Sequence, residues 1–286
     1  MSDKPTYTIN LREVETNHIG VSEILKFYAF AKQYRYTAVQ LNISPVNTMD
    51  ANLSALVLAI AHKLKAENKV TVFVILADHM NVFFRNGLIA HLSGKGNANP
   101  YEDNRQSTIP LTSFLNTEDE SFCQYLRRDF FGHRGLENLT STTKANLSTH
   151  FEEIFVNVVQ HANTDYPIFT CGQYFPEKQM LKFTLVDLGE GFLKKIAVKT
   201  EGSVSTDNEA MLWATYNLNT TKDVITFGPG GTGLKEIKKY CEQNNGSLHL
   251  CSGKGYLNLL KDRTLEQTLP QPLHGSLVNL IFRNIG

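Results

Sequence analysis

The chain has 286 residues, 42% of them hydrophobic and 20% charged, an ordinary balance for a soluble globular protein. Its 28 Lys and Arg are matched by 28 Asp and Glu, so the formal net charge is zero. That balance, with no basic tail or long charge run, argues against nucleic acid or an acidic membrane surface as partner.

The length suggests two domains, each large enough to bury its own core. The four cysteines, Cys123, Cys171, Cys241 and Cys251, form no CxxC pair and lie near no histidine in zinc-ligand spacing. The N-terminus lacks the apolar stretch of a signal peptide, and the longest apolar run, LVLAIA at 56–61, is too short to cross a bilayer. A reduced, cytoplasmic protein is expected.

In chain order, residues 6–11 read as a strand. Residues 21–33 read as an amphipathic helix with Ile24, Leu25, Phe27, Tyr28 and Ala31 near one face. A strand at 38–43, a helix at 53–64, a β-branched and therefore buried strand at 70–76, and a helix at 82–92 complete a small α/β unit over 1–92 with a largely parallel sheet. Residues 93–105 turn to Gly, Asn, Pro and charge and read as a linker. A second domain, 106–286, follows. It opens with a strand at 108–114 and a helix at 120–131, and a polar Ser/Thr stretch at 139–150 leads into a strong helix at 151–162. Strands are expected at 168–174 and 181–187, then a loop-rich stretch to Pro229 and a helix at 234–243. Strands at 247–252, 256–260 and 276–283 close the chain. Hairpin-like neighbours point to a mixed, mainly antiparallel sheet with helices on one face, an α+β two-layer sandwich.

Three segments carry chemistry. In the helix 151–162, Phe151, Ile154, Phe155, Val158, Val159 and Ala162 form an apolar stripe, while Glu153, Asn157 and His161 recur every fourth residue along another face. A carboxylate and an amide one turn apart suit an Mg²⁺–phosphate site. The metal takes few protein oxygens, and the carboxylate can act as a base on water or a hydroxyl. A solvated polar face produces the same pattern. In the strand 181–187, Leu181, Phe183 and Leu185 share one face and Asp187 is next in that row. A carboxylate there needs a partner, and an exocyclic amine would serve. Gly189 and Gly191 follow and allow close approach of a flat ligand, although a simple hairpin turn reads equally well. The run GPGGTGL at 228–234 opens into a helix, so its N–H groups can cradle an anion. It matches neither the P-loop nor the dinucleotide pattern, and a flexible loop is the plain alternative.

Together, EEIFVNVVQHA at 152–162, DLGEG at 187–191 and GPGGTGL at 228–234 resemble the N box and the two glycine boxes of the GHKL superfamily, the ATP-binding fold of gyrases, histidine kinases and MutL-like ATPases. GSLVNLI at 275–281 is similar to that family's last strand, so the resemblance runs from about Leu139 to the end. It implies ATP and Mg²⁺ as ligands. Glu153 would be the catalytic acidic residue by the γ-phosphate, and Asn157 the metal ligand. Asp187 would bind the adenine amine, with Ser276 helping through water. Gly189 and Gly191 would line the nucleotide. Gly228, Gly230, Gly231, Thr232, Gly233 and Leu234 would meet the phosphates, and 192–227 would be the ATP lid. His161 matches a position often held by His in anti-sigma-type members and would support the site from behind.

Residues 36–92 resemble a STAS domain, as in anti-sigma-factor antagonists. That pattern places Asp-Ser-Ser-Gly after its strand, whereas this chain has DANL at 50–53, with Asn52 in the phosphorylatable position and Ser54 out of register. The departure implies a docking or dimerising unit rather than a phosphoacceptor. The expected function is an ATP-binding regulatory protein, either an Mg-ATP-dependent ATPase or an anti-sigma-like serine kinase. The alternative is a non-catalytic, ATP-gated interaction or scaffold protein. A two-component histidine kinase is disfavoured, because nothing ahead of residue 151 reads as a paired dimerisation helix with an exposed His.

Overall fold

The computed structural model describes residues 6–96, 101–216 and 233–283. The N-terminal part alternates strand and helix: β1 (Thr6–Asn10), α1 (His18–Ala31), β2 (Ala38–Asn42), α2 (Ser54–Asn68) and β3 (Thr71–Ile75), then two short helices, α3 (Val82–Arg85) and α4 (Leu88–Leu92). The three strands form a parallel sheet in the order β1-β2-β3, with Ile9, Leu41 and Val74 in register. The sheet face that carries Val39, Leu41 and Val72 shares one core with α1 and α2. The other face presents Thr8, Gln40 and Phe73 side by side. α1 begins where the Asn17 side chain accepts from the N–H groups of Ile19 and Gly20, at 2.9 and 3.0 Å.

The remainder builds a five-stranded sheet from β4 (Thr108–Phe114), β5 (Ile168–Phe175), β6 (Met180–Asp187), β7 (Ser247–Leu260) and β8 (Arg263–Arg283), in the order β4-β5-β6-β8-β7. Every neighbouring pair is antiparallel. Its front face is covered by α5 (Asp119–Tyr125), α6 (Ser141–His161) and α9 (Gly233–Gln243), while α7 (Leu193–Lys199) and α8 (Asp207–Ala214) lie between β6 and β7 in the chain. Alternation along β6 sends Leu181, Phe183 and Leu185 forward onto Phe151, Phe155 and Ile237. Phe122 and Phe155 stack at 4.5 Å within this front core.

The back of that sheet is covered as well. Phe169, Cys171, Val186 and Leu277 point backward into one core with α1 and α2. α2 explains why. From Ala55 to Ala61 every residue is buried, and a helix apolar on all sides has no face to give to solvent. It lies between the two sheets, touching β3 on one side and β5 and β6 on the other. Among the described residues, no helix is long and apolar enough to cross a membrane. All four cysteines are free thiols.

Several elements differ from expectation. The strand expected to be buried at 70–76 is a sheet edge whose Phe73 is 51% exposed. The helix expected at 82–92 breaks at Asn86, whose side chain accepts from the Leu88 N–H at 3.0 Å and so starts a new helix. The helix expected at 120–131 ends in a π-helical turn, Leu126–Phe130. The polar stretch 139–150 is the first half of α6, capped when Thr140 Oγ1 accepts from Thr143 N at 3.1 Å. The loop-rich stretch contains α7 and α8, the latter begun by a reciprocal Thr206–Glu209 capping box. The sheet is antiparallel throughout rather than mixed, and β8 starts at Arg263 rather than 276. The extra strand length is polar and contains Pro270 and Pro272. It is tolerated because the β7–β8 register shifts there, between Gly253 and Gly255.

Candidate functional site

The site is built on α6 and the two strands beneath it. α6 presses Phe151, Ile154 and Phe155 into the front core. That orientation leaves Glu153 and Asn157 half-buried along its flank. The start of α9 packs here. A Cβ on Gly233 would stand 2.9 Å from the His150 carbonyl oxygen and 3.3 Å from Glu153 Cβ and Oε2. The end of the GPGGTGL run is thus brought onto the turn of α6 that carries Glu153. Leu234 follows and packs against the front core. The His161 side chain and Gly228, Gly230, Gly231 and Thr232 lie outside the described residues.

The other end of α6 meets the segment after β6. Asp187 closes the forward-facing row of β6 and is 4% exposed. Its register partner on β8 is Ser276. Ser276 Oγ donates a short hydrogen bond to Asp187 Oδ2, and Gly189 N donates to Asp187 Oδ1 at 2.8 Å. Burial pushes the Asp187 carboxyl above the usual carboxylate range, opposed by the hydrogen bonds from Ser276 and Gly189. With the Ser276 N–H as a third donor, the carboxylate keeps one of its roughly four acceptor positions for a further donor.

The loop 187–191 is held against α6. Glu190 N donates to the Ala162 carbonyl at 2.9 Å, and Asn163 Nδ2 donates to Glu190 Oε1 at 3.1 Å. At Gly189 a side chain would collide with Ala162 backbone and Cβ, so the residue type is fixed by this approach. Gly191 has φ of +71° and leaves no room beside Ser252 Oγ. Ser252 Oγ donates to the Gly275 carbonyl at 2.9 Å and accepts from Phe192 N at 3.3 Å, pinning both chain segments beside Asp187.

The fold therefore gathers the expected residues that are described along the C-terminal half of α6. Asp187, Gly189, Gly191 and Ser276 sit at its C-terminal end, Glu153 and Gly233 lie further up, and Asn157 is between them. Ala162, already the end of the 152–162 run, completes the arrangement with Ser252 and Asn163, of which the sequence gives no sign because each acts only by lying beside a segment distant in the chain. Among the described residues, no three His, Cys, Asp or Glu side chains gather as a metal site. A cavity of about 460 Å³ lies elsewhere, at the β4 edge. The ionic groups lining it are paired with each other, Arg85 with Asp103 and Arg128 with Asp129, both at 2.9 Å.

No protein-family model, no curated protein and no solved structure matches this chain.

Proposed function

We propose that the chain is a GHKL-type ATP-binding regulatory protein, a Mg-ATP-dependent ATPase or an anti-sigma-like serine kinase that serves a protein–protein switch in a reducing cytoplasm. The observation that carries this reading is Asp187. A carboxylate this buried, held from both sides by donors yet retaining acceptor capacity, suits the amine of a flat heterocycle. Gly189 and Gly191 let the loop 187–191 close on Ala162 and Ser252 beside that carboxylate, and Gly233 lets α9 close on the turn of α6 that carries Glu153. In this reading Asp187 accepts from the adenine amine, with Ser276 beside it. The N–H groups of 228–234 receive the phosphates. The Asn157 amide oxygen helps hold Mg²⁺, which when bound supplies charge neutralisation at those phosphates. Glu153 is the base that takes a proton from the attacking water or hydroxyl.

A second reading, an ATP-gated interaction or scaffold protein without turnover, is favoured by one observation. The two side chains where a STAS-like unit would be phosphorylated, Asn52 and Ser54, are both fully buried. Neither side chain is offered as an acceptor, and the N-terminal unit serves docking to a protein partner or a second copy through the sheet face where Phe73 is exposed.

Labelled ATP with Mg²⁺ and the pure protein separates these readings. Released phosphate means ATPase, label on a protein means kinase, and stable binding with neither means a switch. Absence of any ATP binding at millimolar concentration would end the nucleotide reading.

A further inference from the structure

Between the back of the five-stranded sheet and the N-terminal unit runs a buried polar seam in an otherwise apolar layer. Its centre is the 3₁₀ turn Ala51–Leu53. Asn52 is fully buried. Its Nδ2 donates to Thr184 Oγ1 at 2.8 Å and to Asn279 Oδ1 at 3.0 Å. Thr184 Oγ1 in turn donates to Asn279 Oδ1 at 2.8 Å. The turn is anchored on both sides. Lys182 Nζ meets Asp50 Oδ2 at 2.6 Å, Ala51 N donates to Gln173 Oε1, and Asn86 Nδ2 donates to the Ala51 carbonyl at 3.1 Å.

Thr184 and Asn279 are register partners on β6 and β8, and so are Asp187 and Ser276, three residues further along the same two strands. The first pair faces back and the second faces front. Asn52 is thus one amide joined to both members of a cross-strand pair whose strands carry the site on their other side. A slip or splay of β6 against β8 breaks the Asp187–Ser276 hydrogen bond. It also strands donors and acceptors in a layer that water does not reach. A serine hydroxyl, with one proton, could donate to Thr184 or to Asn279 but not to both.

We propose that Asn52 is a positioning residue for the nucleotide site: from the opposite face of the sheet it holds β6 and β8 in the alignment that sets Asp187 against Ser276. The inference rests on the reading of Asp187 as the adenine acceptor, and it makes the N-terminal unit part of the ATP site rather than a separate module. Asn52→Leu keeps the γ-branched heavy-atom shape and removes both donors, and Asn52→Ser keeps one donor.

The test uses the full chain and two measurements, ATP affinity by calorimetry and the titration of the Asp187 carboxyl by ¹³C NMR without nucleotide. The expected result in Asn52→Leu is about tenfold weaker ATP binding, the order of one lost hydrogen bond to a charged group. An upward move of the Asp187 midpoint should accompany it, because the Ser276 hydroxyl favours the ionised form. Asn52→Ser should fall between wild type and Asn52→Leu, and it decides the matter should the leucine variant not fold. A side chain that only stabilises the fold would lower the melting temperature and leave the Asp187 midpoint where it was. That outcome overturns the proposal. A wild-type protein that binds no ATP sinks the nucleotide reading instead, and the Asp187 midpoint still decides whether Asn52 positions that carboxyl.

Discussion

Lys182 on β6 and Asp50, just ahead of the turn that begins α2, are joined at 2.6 Å across the seam between the two sheets, with side chains only 12% and 11% exposed. Asp50 Oδ2 also accepts from Thr16 N and Thr16 Oγ1, at 2.6 and 2.7 Å. Removing one partner of such a pair leaves the other charge covered and uncompensated, which costs about 3 kcal/mol. Lys182→Met should therefore lower the denaturation midpoint strongly. The double variant Asp50→Asn with Lys182→Met should recover much of the loss. A single variant as stable as wild type would show that the pair contributes nothing.

A chain cut to residues 106–286 would leave Phe169, Cys171, Val186 and Leu277 without the helices that cover them. Such a patch drives association. Sedimentation should find aggregates or oligomers rather than a monomer. A soluble monomer with a cooperative melting transition would mean that the five-stranded sheet stands without its backing.

Asp187→Asn should weaken ATP binding tenfold to a hundredfold, the roughly 1.5–3 kcal/mol of a hydrogen bond to a charged group. Acidity should act in the same direction on the wild type. As pH falls through the raised Asp187 midpoint the carboxylate takes a proton and loses acceptor capacity, so affinity falls. Stability runs the other way. The contribution from this group is full below the ordinary aspartate value of about 3.9 and is lost as pH rises through the raised one. Calorimetric titrations of ATP across that range check the first sign, and denaturation at each pH checks the second.

Glu153 and Asn157 should separate chemistry from binding. Glu153→Ala should keep nucleotide affinity and lose turnover, since a base acts on the transition state. Asn157→Ala should lower the Mg²⁺-dependent part of the affinity. Wild-type hydrolysis in Glu153→Ala would remove that residue from the reaction.

His249 is buried beneath the seam between Ser247 Oγ at 2.9 Å and Tyr256 OH at 2.7 Å. Burial, with Lys182 adding a like charge, pushes its pKa down to about 3. The unfolded chain takes up this proton near pH 6.5 and the folded one does not. Stability from this group is therefore present above about pH 6.5 and lost toward pH 3 at about 1.4 kcal/mol per unit. Denaturation midpoints between pH 6.5 and 4 should flatten by about one proton in His249→Gln. An unchanged slope would show that His249 is protonated in the native state.

Much of the local structure is legible in the sequence because it depends on short-range periodicity. The strand of Leu181, Phe183, Leu185 and Asp187 shows its two faces by alternation alone, and Asp187 is visibly the odd member of a core-facing row. The helix carrying Glu153 and Asn157 shows its stripe in the same way. Other features stay hidden where a stronger local signal misleads. Phe73 belongs to a β-branched run that reads as buried, yet it ends exposed on an edge strand. The last strand, expected only from 276, starts at Arg263, because a shifted register carries β8 through Pro270 and Pro272.

The sequence by itself determined the helices and strands with a clear period and the side chains those turn inward, because such choices depend on neighbours a few residues away. Only the tertiary structure decided that α2, apolar on every side, lies between two sheets. The same packing spends Asn52 on Thr184 and Asn279, and fits Ser252 and Ala162 around Gly191 and Gly189. Those relations join residues up to 227 positions apart. They are selected by shape and by the pairing of buried polar groups, conditions that have no period along the chain.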